Sequence, residues 1–117
     1  MIGIDIVKNQ RIKEAVEKFG ERFLKRIYTE EELMYCKNQH AFYECLSARW
    51  ACKEAVLKAF YQAYGVVLKF SEIEVLGDRG RPARVRVLKK GFEDCKILVS
   101  LSHEREFSVA VAYVLKV

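Results

Sequence analysis

Residues 41–64 contain neither glycine nor proline, and Gly65 follows them. That run predicts one long helix ending near Gly65, because the two strongest helix breakers are absent until its end. The segment Ala48-Arg49-Trp50-Ala51-Cys52-Lys53-Glu54-Ala55-Val56-Leu57-Lys58-Ala59-Phe60 lies inside it. An ordinary core helix keeps its charges on one outer face. Here Lys53 and Glu54 are adjacent in an alanine-rich stretch whose small side chains permit close packing. A carboxylate and several cations held that way suggest a site for a metal and phosphates.

The rest of the chain divides around this helix. Residues 1–7 are β-branched and apolar except for Asp5, and are read as a buried strand. Helices are expected over 9–19, with Gly20 as the stop, and over 21–27. Thr29-Glu30-Glu31-Glu32 is a capping box that opens a third helix running to about Lys37. After Gly65 the period changes, and strands are expected over 70–76, 83–89, 95–101 and 107–115. Gly77-Asp78-Arg79-Gly80-Arg81-Pro82 reads as a turn, and Ser102–Glu106 as a hairpin connection holding His103. The expectation is a single α+β domain over 1–117, helices first and an antiparallel sheet late.

The composition, 51% hydrophobic and 32% charged, is that of a folded globular chain. No run of about 18 apolar residues suggests a membrane helix. Asp5 and Lys8 interrupt any signal-peptide pattern, so a cytoplasmic location is expected. Cys36, Cys45, Cys52 and Cys95 form no CxxC pair and no zinc spacing, and are expected to be reduced. The net charge of +5 fits a solvated basic surface or an acidic partner.

Two carboxylates stand out. Asp5 sits among Ile2, Ile4, Ile6 and Val7, where an unpaired charge would be costly, so it needs a salt bridge or a metal. Glu54 lies four residues before Lys58, the spacing of a helix-surface ion pair. Together, Asp5 and Glu54 could instead supply the two hard oxygen ligands that Mg²⁺ commonly takes from protein. Arg49 and Lys53 repeat the four-residue spacing with like charges, which a nearby phosphate would relieve. His103 is either an exposed turn histidine or a phosphate donor; His40 has no assigned role. The cations Lys8, Arg11, Lys13, Lys18, Arg22, Lys25 and Arg26, interleaved with Phe19 and Phe23, form either an amphipathic polar face or a docking face for an acidic helix. The P-loop, GxSxG and HExxH patterns are absent.

Several segments in this order and spacing resemble one family. They are Gly3-Ile4-Asp5-Ile6 followed by Arg11, Arg22-Phe23 and Arg26 before Thr29-Glu30-Glu31-Glu32-Leu33, Ala48 to Ala55 with Lys58-Ala59-Phe60, Gly80-Arg81-Pro82, and Ser100-Leu101-Ser102-His103-Glu104. The chain resembles the holo-acyl-carrier-protein synthases, the short trimeric type of 4′-phosphopantetheinyl transferase. That resemblance implies transfer of 4′-phosphopantetheine from coenzyme A to a serine of an acidic apo-acyl carrier protein, with adenosine 3′,5′-bisphosphate as the other product. It implies a catalytic set of Asp5, Glu54 and Lys58, with Asp5 and Glu54 holding Mg²⁺ (or Mn²⁺) and Lys58 beside the pyrophosphate. It further implies that Arg49, Lys53, His103 and Gly65 join Lys58 in binding coenzyme A, and that Arg11, Arg22, Phe23 and Arg26 dock the carrier. A homotrimer with sites between subunits follows, without membrane or nucleic-acid partners. The chain departs from the family's glycine-rich segment at Tyr61-Gln62-Ala63-Tyr64, where the tyrosines either cap the adenine or lengthen the helix. The competing readings are a basic module binding RNA or another polyanion, and a carrier-protein binder without activity.

Overall fold

The computed structural model describes residues 1–77 and 81–116. Strand β1 (Ile2–Lys8) leads into α1 (Asn9–Phe19), α2 (Glu21–Ile27), α3 (Glu30–Lys37) and the long α4 (Phe42–Tyr64). A single 3₁₀ turn at Phe70–Glu72 precedes β2 (Ile73–Leu76), β3 (Arg84–Val87), β4 (Lys96–His103) and β5 (Phe107–Leu115). The architecture is α+β, as the order of periodic segments predicts.

Helix α4 is the axis of the core. Leu46, Ala51, Cys52, Ala55, Val56, Ala59 and Phe60 are all fully buried. It is covered on several sides at once, by β1, β4 and β5, by α1 and α3, and by β2. Burial of side chains the size of Leu46 or Phe60 is worth about 1.5–3 kcal/mol each. The helix continues through Tyr64 and ends at Gly65, whose φ of 67° is the left-handed cap conformation. Tyr61 and Tyr64 therefore lengthen the helix. Tyr64 packs on Phe60 and Phe92, whereas Tyr61 is exposed.

The three-stranded sheet has the order β1-β5-β4, all antiparallel. The first strand of the chain thus belongs to the late sheet, with Ile2 opposite Tyr113 and Lys8 opposite Phe107. Strands β2 and β3 form a separate two-stranded sheet. The expected strand at 70–76 loses its first turn, because the Glu72 carboxylate accepts from the Lys69 N–H at 2.8 Å and curls the backbone. The turn expected at 77–82 falls partly outside the described residues.

Two expectations need correction. Strand β1 is not buried on both faces. It alternates, with Gly3 and Val7 turned to α4 while Ile2, Ile4 and Ile6 are 57%, 63% and 63% exposed. Nor are all four cysteines reduced. Cys36 and Cys45 form a disulfide, and only Cys52 and Cys95 are free. The end of α3 and the start of α4 bring the two Cα atoms within 5.5 Å, a proximity that a search for short cysteine spacings misses.

Candidate active site

The site begins with a glycine. A Cβ on Gly3 would overlap the carbonyl oxygen of Ala55, so β1 lies backbone to backbone against α4. Asp5, two residues further on the same face of β1, is thereby set beside Glu54 and Lys58. Lys58 Nζ donates to the Ile4 carbonyl at 2.9 Å and to Asp5 Oδ1 at 3.3 Å. Lys58 therefore turns to Asp5 rather than closing the four-residue pair with Glu54. Burial raises the pKa of Glu54, the negative charge of Asp5 raises it further, and Lys58 partly opposes both. Two carboxylates that repel each other beside one exposed lysine are a site short of positive charge.

That donor set fits a hard cation. Mg²⁺ typically takes one or two protein carboxylates and completes its shell with waters and phosphates. Among the described residues no group of three or more His, Cys, Asp or Glu gathers to form a closed cage. Asp5 and Glu54 would offer an open position of the kind that an oxygen-rich substrate can fill.

A second feature is a cleft of about 660 Å³. Tyr35, Gln39, His40, Ala41, Cys45, Ala48 and Arg49 form one side, Val75–Gly77 with Arg81–Ala83 another, and Val99–Leu101 with His103 the third. Asp5, Glu54 and Lys58 do not line it. Arg49 is 7% exposed, lies over the Tyr35 ring at 4.4 Å, and donates from Nη1 to Cys45 Sγ at 3.4 Å. Its Nε is buried without a partner among the described residues. Burial lowers the pKa of the guanidinium, which stays cationic near neutrality. An orphaned donor on a buried cation at a cleft wall suits an anionic ligand. His103 is the last residue of β4 rather than a loop residue, and its Nδ1 lies 3.7 Å from Glu44 Oε2.

Comparison with known proteins decides the family. A family model described as the 4′-phosphopantetheinyl transferase superfamily matches residues 1–112. A holo-[acyl-carrier-protein] synthase of Aquifex aeolicus is 58% identical, covering 99% of this chain and 98% of its own. The chain belongs to the holo-acyl-carrier-protein synthases, within the 4′-phosphopantetheinyl transferase superfamily. The synthase of a Hydrogenobaculum species is 43% identical, covering 99% of this chain and 96% of its own. The Helicobacter pylori synthase, solved in complex with coenzyme A, superposes with a TM-score of 0.80 at 27% identity, covering 98% and 100% of the two chains. This chain is accordingly a transferase.

The other expected site residues part company. Lys53 is removed from ligand binding, because it is fully buried. Its Nζ donates to the carbonyls of Ile27 and Ile73 at 2.7 Å and of Phe70 at 3.0 Å, and pairs with Glu32 Oε1 at 2.7 Å. Burial lowers its pKa and Glu32 opposes that. The like-charge pair of Arg49 and Lys53 is thus relieved by a carboxylate of the chain and not by a phosphate at Lys53. Gly65 caps α4 and does not line the cleft. Arg11, Arg22 and Arg26 are exposed on α1 and α2. Phe23 is no free anchor, since it stacks on Trp50 at 6.0 Å in a row that continues to Phe70.

Sequence reasoning missed Glu32 as a structural centre. It closes the capping box with the Thr29 N–H at 2.8 Å and also accepts from the Val75 N–H at 2.7 Å. The capping-box pattern signalled the first bond, but nothing local signals the second or the pair with Lys53. Tyr35, Glu44 and His40 were also missed as neighbours of the cleft cations. Only the resemblance gave the cleft a place in the sequence.

Proposed function

We propose that this enzyme transfers 4′-phosphopantetheine from coenzyme A to a serine of apo-acyl carrier protein, releasing adenosine 3′,5′-bisphosphate. The observation that carries the proposal is the convergence of Asp5, Glu54 and Lys58 at the Gly3–Ala55 joint. A phosphoryl-type transfer needs in-line geometry and neutralised charge on the phosphates. Lys58, exposed above the carboxylates, would meet the pyrophosphate. Asp5 and Glu54 would hold Mg²⁺, or Mn²⁺ as an alternative, which when bound polarises the phosphoryl oxygens. Arg49 and His103 would hold the nucleotide end of coenzyme A in the cleft, whose size suits a cofactor fragment. Family relatives support this assignment, since structures from Helicobacter pylori and Bacillus anthracis were solved with coenzyme A or its 3′,5′-ADP part.

The carboxylates and the cleft do not meet within one chain, and this supports a homotrimer whose sites lie between subunits. The open face of the sheet offers the surface: Ile2, Ile4, Ile6, Leu98 and Tyr113 are exposed there. Exposed apolar area of that kind calls for cover. Arg11, Arg22 and Arg26 would receive the acidic carrier, with Arg well suited to bidentate carboxylate contacts.

The test is a mass spectrum of apo-acyl carrier protein after incubation with the enzyme, coenzyme A and Mg²⁺. The expected result is a gain of one phosphopantetheine arm, lost with a chelator and lost in Asp5→Asn. A folded protein that binds coenzyme A and leaves several carriers unmodified would refute catalysis and favour an inactive binder.

A further inference from the structure

We propose that the Cys36–Cys45 disulfide is a redox latch on one wall of the large cleft, setting how tightly the cleft holds its ligand. The ligand part of the proposal rests on the assignment of that cleft to coenzyme A. The disulfide joins the last turn of α3 to the first turn of α4, nine residues apart. Between its two ends runs the connection that contains Gln39, His40 and Ala41, all on the cleft wall. Cys45 lines the cleft itself and touches Arg49, the buried cation with an orphaned Nε. The latch therefore fixes both the loop that shapes the wall and the side chain against which the anion-binding group rests.

Closing a short loop covalently removes conformational freedom that a ligand would otherwise have to remove on binding. The oxidised cleft is pre-organised, whereas reduction returns the 37–41 wall to local fluctuation and unties from Cys36 the sulfur that Arg49 Nη1 contacts.

The geometry also supplies a route for reduction. Cys36 is fully buried, whereas Cys45 keeps 9% exposure and lines the cleft, so the approach for an external dithiol is to Cys45 Sγ from the cleft side. Its thiolate attacks Cys45 Sγ, the S–S bond breaks, and Cys36 leaves as a thiolate that takes up a proton. The second thiolate of the reductant then attacks its own sulfur in the mixed disulfide. Cys45 leaves as a thiolate beside the Arg49 guanidinium, which stabilises it, and then takes up a proton. The enzyme gains two electrons and two protons, and the dithiol becomes a disulfide. A ligand in the cleft blocks the approach, so occupancy should slow reduction.

The test uses the full chain in oxidised and dithiol-reduced form, together with the C36S/C45S double variant. Intact mass and thiol counting establish the oxidation state. Hydrogen exchange reads the latch without any ligand: faster exchange in residues 37–41 of the reduced and double-variant proteins is expected. Coenzyme A titration reads the consequence: Kd and the KM for coenzyme A should rise roughly three- to tenfold on reduction, with kcat and the KM for carrier nearly unchanged. Failure of the two thiols to pair under oxidising conditions would overturn the proposal. So would equal exchange in both states, or equal Kd. Coenzyme A binding to neither form, with exchange still redox-dependent, would overturn the assignment of the cleft's ligand while the latch itself stood.

Discussion

Replacing Lys53 with Met tests whether this lysine serves the fold or the ligand. The substitution keeps a long apolar stem and removes an ammonium that meets three carbonyls and a carboxylate in a fully buried setting. Glu32 would keep the Thr29 and Val75 N–H groups but lose its only salt-bridge partner among the described residues, with the Arg49 guanidinium left as a more distant cation. Breaking a buried pair by removing one partner typically costs about 3–5 kcal/mol, and the remaining N–H donors favour the lower end of that range. An unfolding entropy of about 2.1 cal/mol/K per residue gives roughly 0.25 kcal/mol/K here, so Tm should fall by about 12–20 °C. Thermal unfolding by circular dichroism, at fixed protein concentration, measures this directly. The E32Q/K53M double variant should recover part of the loss, showing coupling of about 2 kcal/mol. Well below the transition, the KM for coenzyme A should change less than about twofold, since Lys53 is fully buried and does not line the cleft. A Tm within about 4 °C of the parent, accompanied by a tenfold rise in that KM, would refute the reasoning and return Lys53 to the substrate.

Three further outcomes are expected. Gly3→Ala forces a methyl into the Ala55 carbonyl and should cost about 3 kcal/mol or more, read as a lower urea midpoint; unchanged stability would deny the backbone joint. Glu54 has a raised folded pKa, so folding favours its protonated form, and its contribution is lost as pH rises from the unfolded carboxylate pKa through the folded one. Glu54→Gln should therefore raise the unfolding free energy of metal-free enzyme at neutral pH slightly, by less than about 1 kcal/mol, and, on the proposed metal site, should abolish the stabilisation that added Mg²⁺ would give; a lowered Tm at neutral pH would contradict the sign. If the open sheet face carries the proposed trimer contact, Ile4→Glu should yield a folded monomer without transfer activity by sedimentation and assay; the same sedimentation as the parent would refute that placement.

What could be read in the sequence was whatever is local. Absence of breakers marked α4, Thr29 to Glu32 marked a cap, and Gly20 and Gly65 marked stops. Asp5 and Glu54 stood out because charges in apolar surroundings require an explanation within a few residues of themselves. What failed depended on distant partners. Lys53 and Arg49 share a helix and a charge, and only the approach of Glu32 from α3 separates their roles. Cys36 and Cys45 meet because two helices pack, and Phe23 is claimed by Trp50 before any partner protein can use it. The outward isoleucines of β1 depart from the expected burial because an apolar run does not say which of its faces packs on the core and which stays exposed.

The pairing of β1 has a consequence for how the enzyme is made. Its hydrogen-bonding partner in the sheet is β5, the last strand, so Ile2 finds Tyr113 only after nearly the whole chain exists. Asn9 repeats the dependence: its side chain donates to the Glu104 and Arg105 carbonyls and accepts from Ser108. During synthesis the helices can form as they emerge, while β1, which carries Asp5, gains its sheet partner only with the β4–β5 hairpin. Closure of so long a loop is slow compared with local helix formation. A chain that lacks β5 can hold Glu54 and Lys58 on α4 while β1 has no sheet partner, so the proposed catalytic set should be completed only with that strand.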